Sequence, residues 1–386
     1  MRVTDVAITG ADLICSVGEG VDACFAALCR GTSGNKRLQS FRASRFRLAH
    51  GYEIADRQPP GCDVPGRATA WLTRSVAGAA RHAQLDPAGQ RVPVLVGTGL
   101  RELRGAELWW GRQSRFHIAD LHFAGAVHRA IGQMGPVMTV SNACSASSFA
   151  LGLGADLLEL GDADAVIVAG CDSITESMLG MLDRVSVVPP ERVQPFDRHR
   201  KGVLLGEGAA ALVLERADRC RARGAVPLAY LRGVGMSCDA FHETAPSREG
   251  ITESMVDAHR RAHVAPAEID LLMAHGTGTA LSDPVEATVI KDVFGDAARR
   301  VLITALKSML GHTSGASGLM SVIVAIEAMR RGMVPPTLGL TDFIDEAADL
   351  DIVTGEARRA ELRLAQINAF GFGGVNAVAV IQRAES

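Results

Sequence analysis

Short apolar runs rich in β-branched residues alternate along the chain with Ala- and Leu-rich stretches of helical period, which predicts a layered α/β fold. Val3 to Ile8, Val137 to Val140, Ala165 to Ala169, Pro227 to Leu231, Ile269 to Ala274 and Val301 to Ala305 read as strands, with Val137 to Val140 short and buried. Phe149, Leu153, Leu157 and Leu160 then recur at helical spacing, so the stretch VSNACSASSF places Cys144 at a strand-to-helix turn.

The pattern occurs twice. Val3 to Ile8 resembles Pro227 to Leu231, and Ala165 to Ala169 resembles Ile269 to Ala274. Val137 to Val140 leads into the Cys144 turn as Val301 to Ala305 leads into a turn holding His312. GEGAAALVLE from Gly206 and GFGGVNAVAVI from Gly371 each close a half with an expected Gly-x-Gly hairpin. Two similar halves, 1–225 and 226–386, are expected to form one body, with Cys144 facing loops of the second half across a pseudo-twofold axis. The rival explanation is coincidence, since strand–turn–helix modules look alike.

Composition narrows the function classes. With 47% hydrophobic and 22% charged residues, the 386-residue chain can bury a sizeable core. A formal net charge of -3 argues against nucleic-acid binding and against a polybasic membrane surface. The opening MRVTDVAITG shows no signal segment, and no apolar run has bilayer-spanning length. Cysteines stand at 15, 24, 29, 62, 144, 171, 220 and 238, without a CxxC pair or a compact Cys–His cluster. A reduced, cytoplasmic protein with mostly buried thiols and no metal is expected.

At the Cys144 turn, free amide groups and the positive end of a helix dipole favour a thiolate, and small neighbours leave the sulfur approachable. A buried structural cysteine fits the same stretch. In the second half, AHGTGT sets His275 directly after a strand, and KSMLGH supplies Lys307 and His312 after another. NAFGFGG combines glycine freedom with the apolar bulk of Phe370 and Phe372. In SDPVE, Asp283 reads as an N-cap, Pro284 as the first helical residue and Glu286 as completing a capping box, a structural role. Taken together, Cys144, His275 and His312 form a nucleophile with two donors. Their scatter excludes zinc-site spacing, and neither GFGGVN nor GTGTAL forms a complete dinucleotide fingerprint.

These residues resemble the condensing enzymes of the β-ketoacyl-ACP synthase I/II type, and the resemblance covers nearly the whole chain. It is carried by SNACSAS around Cys144, PFDRHRKGVLLGEGAAALVLE from Pro195, DAFHETAP from Asp239, AHGTGTALSDPVEA from Ala274, KSMLGHTSGASG from Lys307 and NAFGFGG from Asn368. The resemblance implies a thiolase fold, with the nucleophile in the first half and the two histidines and a gating loop in the second, layered α-β-α-β-α. It implies that Cys144 holds an acyl chain, that the N–H groups of Cys144 and Phe372 form an oxyanion hole, and that His275 and His312 bind the carbonyl oxygen of a malonyl thioester during decarboxylation. By the same resemblance, Lys307 orients the histidine pair through Glu286. Thr277 and Thr279 contact the phosphopantetheine arm, with Asp239 and Thr244 near its entrance, and Phe372 gates the second substrate beside Phe370. No bound cofactor is implied, because the acyl carrier protein supplies the phosphopantetheine.

The chain departs from the family pattern at Asn142, where threonine is usual, at Gln194, where arginine is frequent, and at Lys201, where an acidic residue is usual. The stretch between Gly97 and Gly135 is short and carries LWWGRQSRFH, whose Trp109 and Trp110 suit either a substrate channel or a subunit interface. Arg42, Arg45 and Arg47 form a basic cluster suited to an acidic carrier or to a solvated face. The expectation is a homodimeric ketosynthase of polyketide or fatty-acid-like biosynthesis. The alternatives are an enzyme redirected to acyl transfer or cyclisation without decarboxylation, and one subunit of a heterodimer with a chain-length-setting partner.

Overall fold

The computed structural model describes residues 6–41, 45–57, 63–89, 91–133 and 135–385. Val3, Arg42 and Cys62 therefore lie outside the described residues.

Ten strands form one continuous ladder. They are β1 (Val6–Cys15), β2 (Val94–Gly97), β3 (Val137–Val140), β4 (Ala165–Asp172), β5 (Gly208–Arg216), β6 (Ala229–Cys238), β7 (Leu271–Met273), β8 (Leu302–Thr304), β9 (Leu364–Gly371) and β10 (Val375–Arg383), in the order β8-β7-β9-β10-β6-β1-β5-β4-β2-β3. Read outward from the β1–β6 seam, the two sides carry the same succession of parallel and antiparallel pairings. The seam itself is short, pairing Val6, Ala7 and Ile8 with Leu231, Tyr230 and Ala229.

Helix α1 (Arg67–His82) packs on the outer face of β5, β1 and β4. Two later helices fill the space between the sheet halves: α2 (Ala146–Glu159), packed on β4, β2, β6 and β10, and α5 (Ser317–Arg331), packed on β9, β5 and α2. The outer layer of the second side holds α3 (Arg248–Ala262), against β6 and β10, and α4 (Ser282–Phe294), against α3. This gives the expected α-β-α-β-α layering. Every residue of β4 is buried, as a strand covered on both faces requires. Helix α5 is likewise buried nearly all round, from Ser317 to Met329, because it is enclosed by sheet on two sides. No helix among the described residues is long and apolar enough to cross a membrane.

Three expectations are corrected. Strand order makes β2, and not Ala165 to Ala169, the counterpart of the Ile269 to Ala274 run, while β4 corresponds to β9. β9 and β10 do form a tight hairpin at Gly371, but β4 and β5 pair across a long excursion, so the Gly206 stretch is no hairpin. Val137–Val140 is an edge strand and only partly buried, with Met138 53% exposed. In α2, Leu153 and Leu160 lie outward and exposed, and the helix buries Leu151 and Leu158 together with the small residues Ala146, Ser147, Ala150 and Gly154. Close packing of two central helices selects small residues there.

Candidate active site

Cys144 sits in a single helical turn, Ala143–Ser145, that joins β3 to α2. Ala143 takes a positive φ of 49°, an unfavourable conformation for a residue with a Cβ, which lifts the cysteine into a tight elbow. The equivalent turn of the second side, Ser314–Ala316, enters α5 with Ser314 at φ 48°. The two elbows meet at the centre, where Ser317 Oγ donates to Cys144 O and Leu319 N to Ser147 Oγ.

A cavity of about 510 Å³ reaches Cys144 and is lined also by His275, His312, Phe370, Phe372, Thr244, Thr277 and Thr279. His275 follows β7 and is anchored through its backbone: its N–H donates to Glu286 Oε1 at 2.7 Å, and that of Gly276 to Oε2 at 2.8 Å. Lys307 Nζ bonds His275 O at 2.5 Å and lies 3.3 Å from Nδ1, which also accepts from the N–H of Phe370 at 3.3 Å. With Nδ1 occupied as acceptor, the proton of the neutral ring sits on Nε2. His312 is held by its backbone, N–H to Leu204 O and carbonyl from Gly206 N–H. Both of its ring nitrogens are buried and have no hydrogen-bond partner among the described residues. The two rings stand edge to face, 5.5 Å apart.

Burial sets the protonation states. It pushes both histidines well below their ordinary range, helped by the Lys307 charge, so both are neutral donors and not cations. Lys307 itself is lowered to about 8 by burial, against the pull of Glu286, Cys144 and Asp283. The turn was expected to favour a thiolate, yet burial raises the Cys144 thiol to about 11, outweighing Lys307 and the N–H of Phe372 that points at the sulfur. The resting cysteine is a neutral thiol.

The hairpin loop after β9 brings the Phe372 N–H to Cys144. A Cβ on Gly371 would lie 3.3 Å from Cys144 N and 3.2 Å from Ser145 Oγ, a tight fit against the elbow. Phe372 is 37% exposed, whereas Phe370 is buried against the His275 ring at 5.5 Å. The loop is tied to its neighbour by Gly373 N–H to Glu243 O.

The capping-box reading of Asp283 and Glu286 is overturned. Helix α4 begins at Ser282 without a side-chain cap, which places both carboxylates inside its first turns on one face. Asp283 accepts from Phe196 N and Gly278 N, and Glu286 from His275 N, Gly276 N and Asn368 Nδ2. Lys307 reaches His275 directly and forms no ion pair with Glu286 among the described residues. Thr277 and Thr279 bond each other through their hydroxyls at 3.0 Å. Asp239 does not line the cavity: it lies behind Gly374, where Asn376 Nδ2 donates to Oδ1 at 3.0 Å. Trp109 and Trp110 do not reach the cavity either, and border a separate surface groove with Phe116 and Ile118.

Of the departures, Asn142 O accepts from Ser145 Oγ, Gln194 Nε2 donates to Gly339 O, and Lys201 is exposed at the cavity rim. Arg47 is bound to Asp183 and to the Ser186 carbonyl, which leaves it less free for a partner.

Several site residues escaped sequence reasoning. Asn368 stood within a quoted motif without a role, although the alternation Gln366, Asn368 in an otherwise apolar strand marks a polar face. Asp172 gathers four donors, Thr98 Oγ1, Gly99 N, Leu100 N and Gly315 N, and so ties the loop after β2 to the elbow that follows His312. Met178, Met181, Leu182, Val185 and Val203 form an apolar wall of the cavity.

Comparison with known proteins agrees with this geometry. The protein named 3-oxoacyl-[acyl-carrier-protein] synthase 2 of Coxiella burnetii (strain RSA 493 / Nine Mile phase I) is 32% identical over 412 residues, spanning 99% of each chain. Nodulation protein E of Rhizobium meliloti is 39% identical over 253 residues, 65% of this chain and 63% of that one. Among solved structures, the ishigamide ketosynthase/chain length factor superposes with a TM-score of 0.89 at 32% identity, covering 99% of both chains. The architecture is the thiolase fold of ketosynthases. Residues 3–219 match the beta-ketoacyl synthase N-terminal domain and residues 228–341 its C-terminal domain, and the chain belongs to that family.

Proposed function

We propose that the protein is a 3-oxoacyl-[acyl-carrier-protein] synthase that condenses a Cys144-bound acyl chain with a malonyl group on an acyl carrier protein, releasing carbon dioxide. One observation carries this reading: a single cavity holds a thiol at an elbow and two neutral imidazoles, one with its proton fixed on Nε2 and one with both nitrogens unpartnered among the described residues. The Cys144 sulfur attacks the acyl thioester carbonyl, and the negative oxygen is held by the N–H groups of Cys144 and Phe372. The C–S bond to the carrier arm breaks, and the departing sulfur takes up the proton that Cys144 gives up.

Malonyl carrier then enters past Phe372 and along Thr277 and Thr279. His275 Nε2–H and an N–H of His312 hydrogen-bond its thioester oxygen. The C–C bond to the carboxylate breaks, carbon dioxide leaves, and the electron pair is stored as an enolate on that oxygen. The enolate carbon attacks the Cys144 acyl carbonyl. A new C–C bond forms, the Cys144 C–S bond breaks, and the thiolate released takes up one proton from water, the proton consumed per turnover. Neutral histidines suit this chemistry, because they donate to a developing negative charge without drawing the malonyl carboxylate into an ion pair.

The apolar wall at Met178, Met181, Leu182 and Val203 supports an acyl chain as the occupant of the inner cavity. The edge strand β3, with exposed Met138, and the outward Leu153 and Leu160 support pairing with a second copy. The test is to incubate the purified chain with acyl carrier and malonyl carrier. The reading expects one carbon dioxide released per 3-oxoacyl product two carbons longer; acyl transfer without carbon dioxide would replace it with the non-decarboxylative alternative.

A further inference from the structure

Helix α3 carries a buried histidine that the chemistry at Cys144 does not use. His259 is 5% exposed, with its ring edge to face on Phe294 and its Nε2 2.6 Å from Gln366 Oε1. Gln366 is fully buried in β9, and its Nε2 donates to Asn368 Oδ1 at 2.8 Å. Asn368 Nδ2 donates to Glu286 Oε1 at 2.9 Å, the same oxygen that receives the His275 N–H. An unbroken chain thus joins the outer helix layer to His275.

Its direction follows from the carboxylate. Both Glu286 oxygens accept from backbone N–H groups, of His275 and Gly276, so Asn368 turns its NH₂ group toward Oε1 and its oxygen toward Gln366. Gln366 must then donate to Asn368 and present its own oxygen to His259, which carries its proton on Nε2. Every donor points toward Glu286, and bonds aligned in this way polarise one another in a dry interior. Strand alternation puts Gln366, Asn368 and Phe370 on one face of β9, and that face ends at His275, where Phe370 supplies both a ring contact and the N–H to Nδ1. Around it lie Val378, Val380, Leu272 and Ile290, where apolar residues would pack without any need for partners.

We propose that Gln366 and His259 are positioning residues for His275: they fix Asn368, which fixes the Glu286 carboxylate, whose two oxygens hold the His275 and Gly276 backbone and thereby aim the ring. The inference rests on the decarboxylative reading above. A substitution here therefore acts on carbon dioxide loss and spares the loading of Cys144.

The test compares the two half-reactions in Gln366→Leu, His259→Leu and His259→Gln, the last keeping an N–H donor of similar reach. Gln366→Leu and His259→Leu are expected to slow carbon dioxide release from malonyl carrier about tenfold with KM unchanged, and to leave acyl loading of Cys144 within about twofold. His259→Gln is expected to restore release. Amide hydrogen exchange gives a second readout that needs no catalysis: the His275 and Gly276 amides should exchange about tenfold faster in Gln366→Leu, with the amides of β4 and β5 unchanged. Equal slowing of both half-reactions, or unaltered exchange at His275 and Gly276, would overturn the proposal. If the wild-type protein releases no carbon dioxide, the decarboxylative reading fails by itself, and the exchange comparison still decides on the chain. Should Gln366→Leu fail to fold, the two His259 variants carry the same comparison.

Discussion

Lys307 Nζ lies 3.3 Å from His275 Nδ1 and 2.5 Å from the His275 carbonyl oxygen, so one buried cation grips both the ring and the backbone of the same histidine. Its charge also keeps the imidazole neutral. Replacing Lys307 with Met, which retains much of the volume, is expected to lower carbon dioxide release from malonyl carrier by about 100-fold, since it removes a partner of the reacting group. Burial brings Lys307 down to about 8, so the protonated form prevails below that pH and is lost above it. Release in the wild type should therefore decline on the alkaline side with a midpoint near pH 8. A rate that stays flat to pH 10 would remove Lys307 from this role.

The neutral state of Cys144 can be read directly. With its thiol pushed up to about 11 by burial, the thiolate fraction is small at neutral pH and grows tenfold per pH unit until that value is approached. Iodoacetamide labelling of Cys144, followed by peptide mass analysis, should rise with pH throughout the range 7 to 10. A plateau reached below pH 8 would show that the turn and helix dipole outweigh burial.

Gly371→Ala tests the close approach at the oxyanion donors. The new Cβ would press on Cys144 N, Ser145 Oγ and Val375 O, at 3.1 to 3.3 Å, and part the two N–H groups. Acylation of Cys144 is expected to slow by about 100-fold, as loss of an oxyanion donor does, while the fold is retained. Unchanged acylation kinetics would locate the oxyanion elsewhere.

Asp172→Asn addresses the tie between the two sides of the molecule. A carboxamide replaces one acceptor oxygen by a donor, which then faces N–H or O–H groups now held by Asp172. Unfolding measurements should show a loss of about 2 kcal/mol, the cost of leaving such buried donors unpaired. Carbon dioxide release should fall further than stability alone explains, because Gly315 belongs to the elbow after His312. Wild-type stability in Asp172→Asn would contradict the account.

What the sequence made legible follows a physical divide. Cys144, His275 and His312 stood out because each is a reactive residue in a turn after an apolar run, among small and polar residues for Cys144 and beside glycines for the two histidines, a place where packing has little use for it. The structure gathers all three around one cavity. Asp283 and Glu286 were misread because the spacing that makes a capping box also suits two acceptors for distant loops, and local spacing cannot tell these apart. The leucine stripe of α2 was assigned no face, and the helix turned its small residues inward because α5 lies against it. Ala165 to Ala169 was matched with the wrong strand because buried strands resemble one another in sequence, whereas pairing partners are set by topology. The His259–Gln366 contact spans 107 positions and left no local trace.

The division of labour between the thiol and the imidazoles predicts a crossed pattern. Cys144→Ala retains both histidines and should still release carbon dioxide from malonyl carrier, whereas His312→Ala should load an acyl group on Cys144 yet release carbon dioxide about 100-fold more slowly. Loss of both half-reactions in either variant would mean that the two sets of groups act as one unit.

The most direct measurement of the central claim is intact-mass analysis after exposure to acyl carrier. The wild-type chain should gain the mass of one acyl group, mapped to Cys144, and Cys144→Ala should gain none. An acyl adduct on Cys144→Ala would show that another residue is the nucleophile.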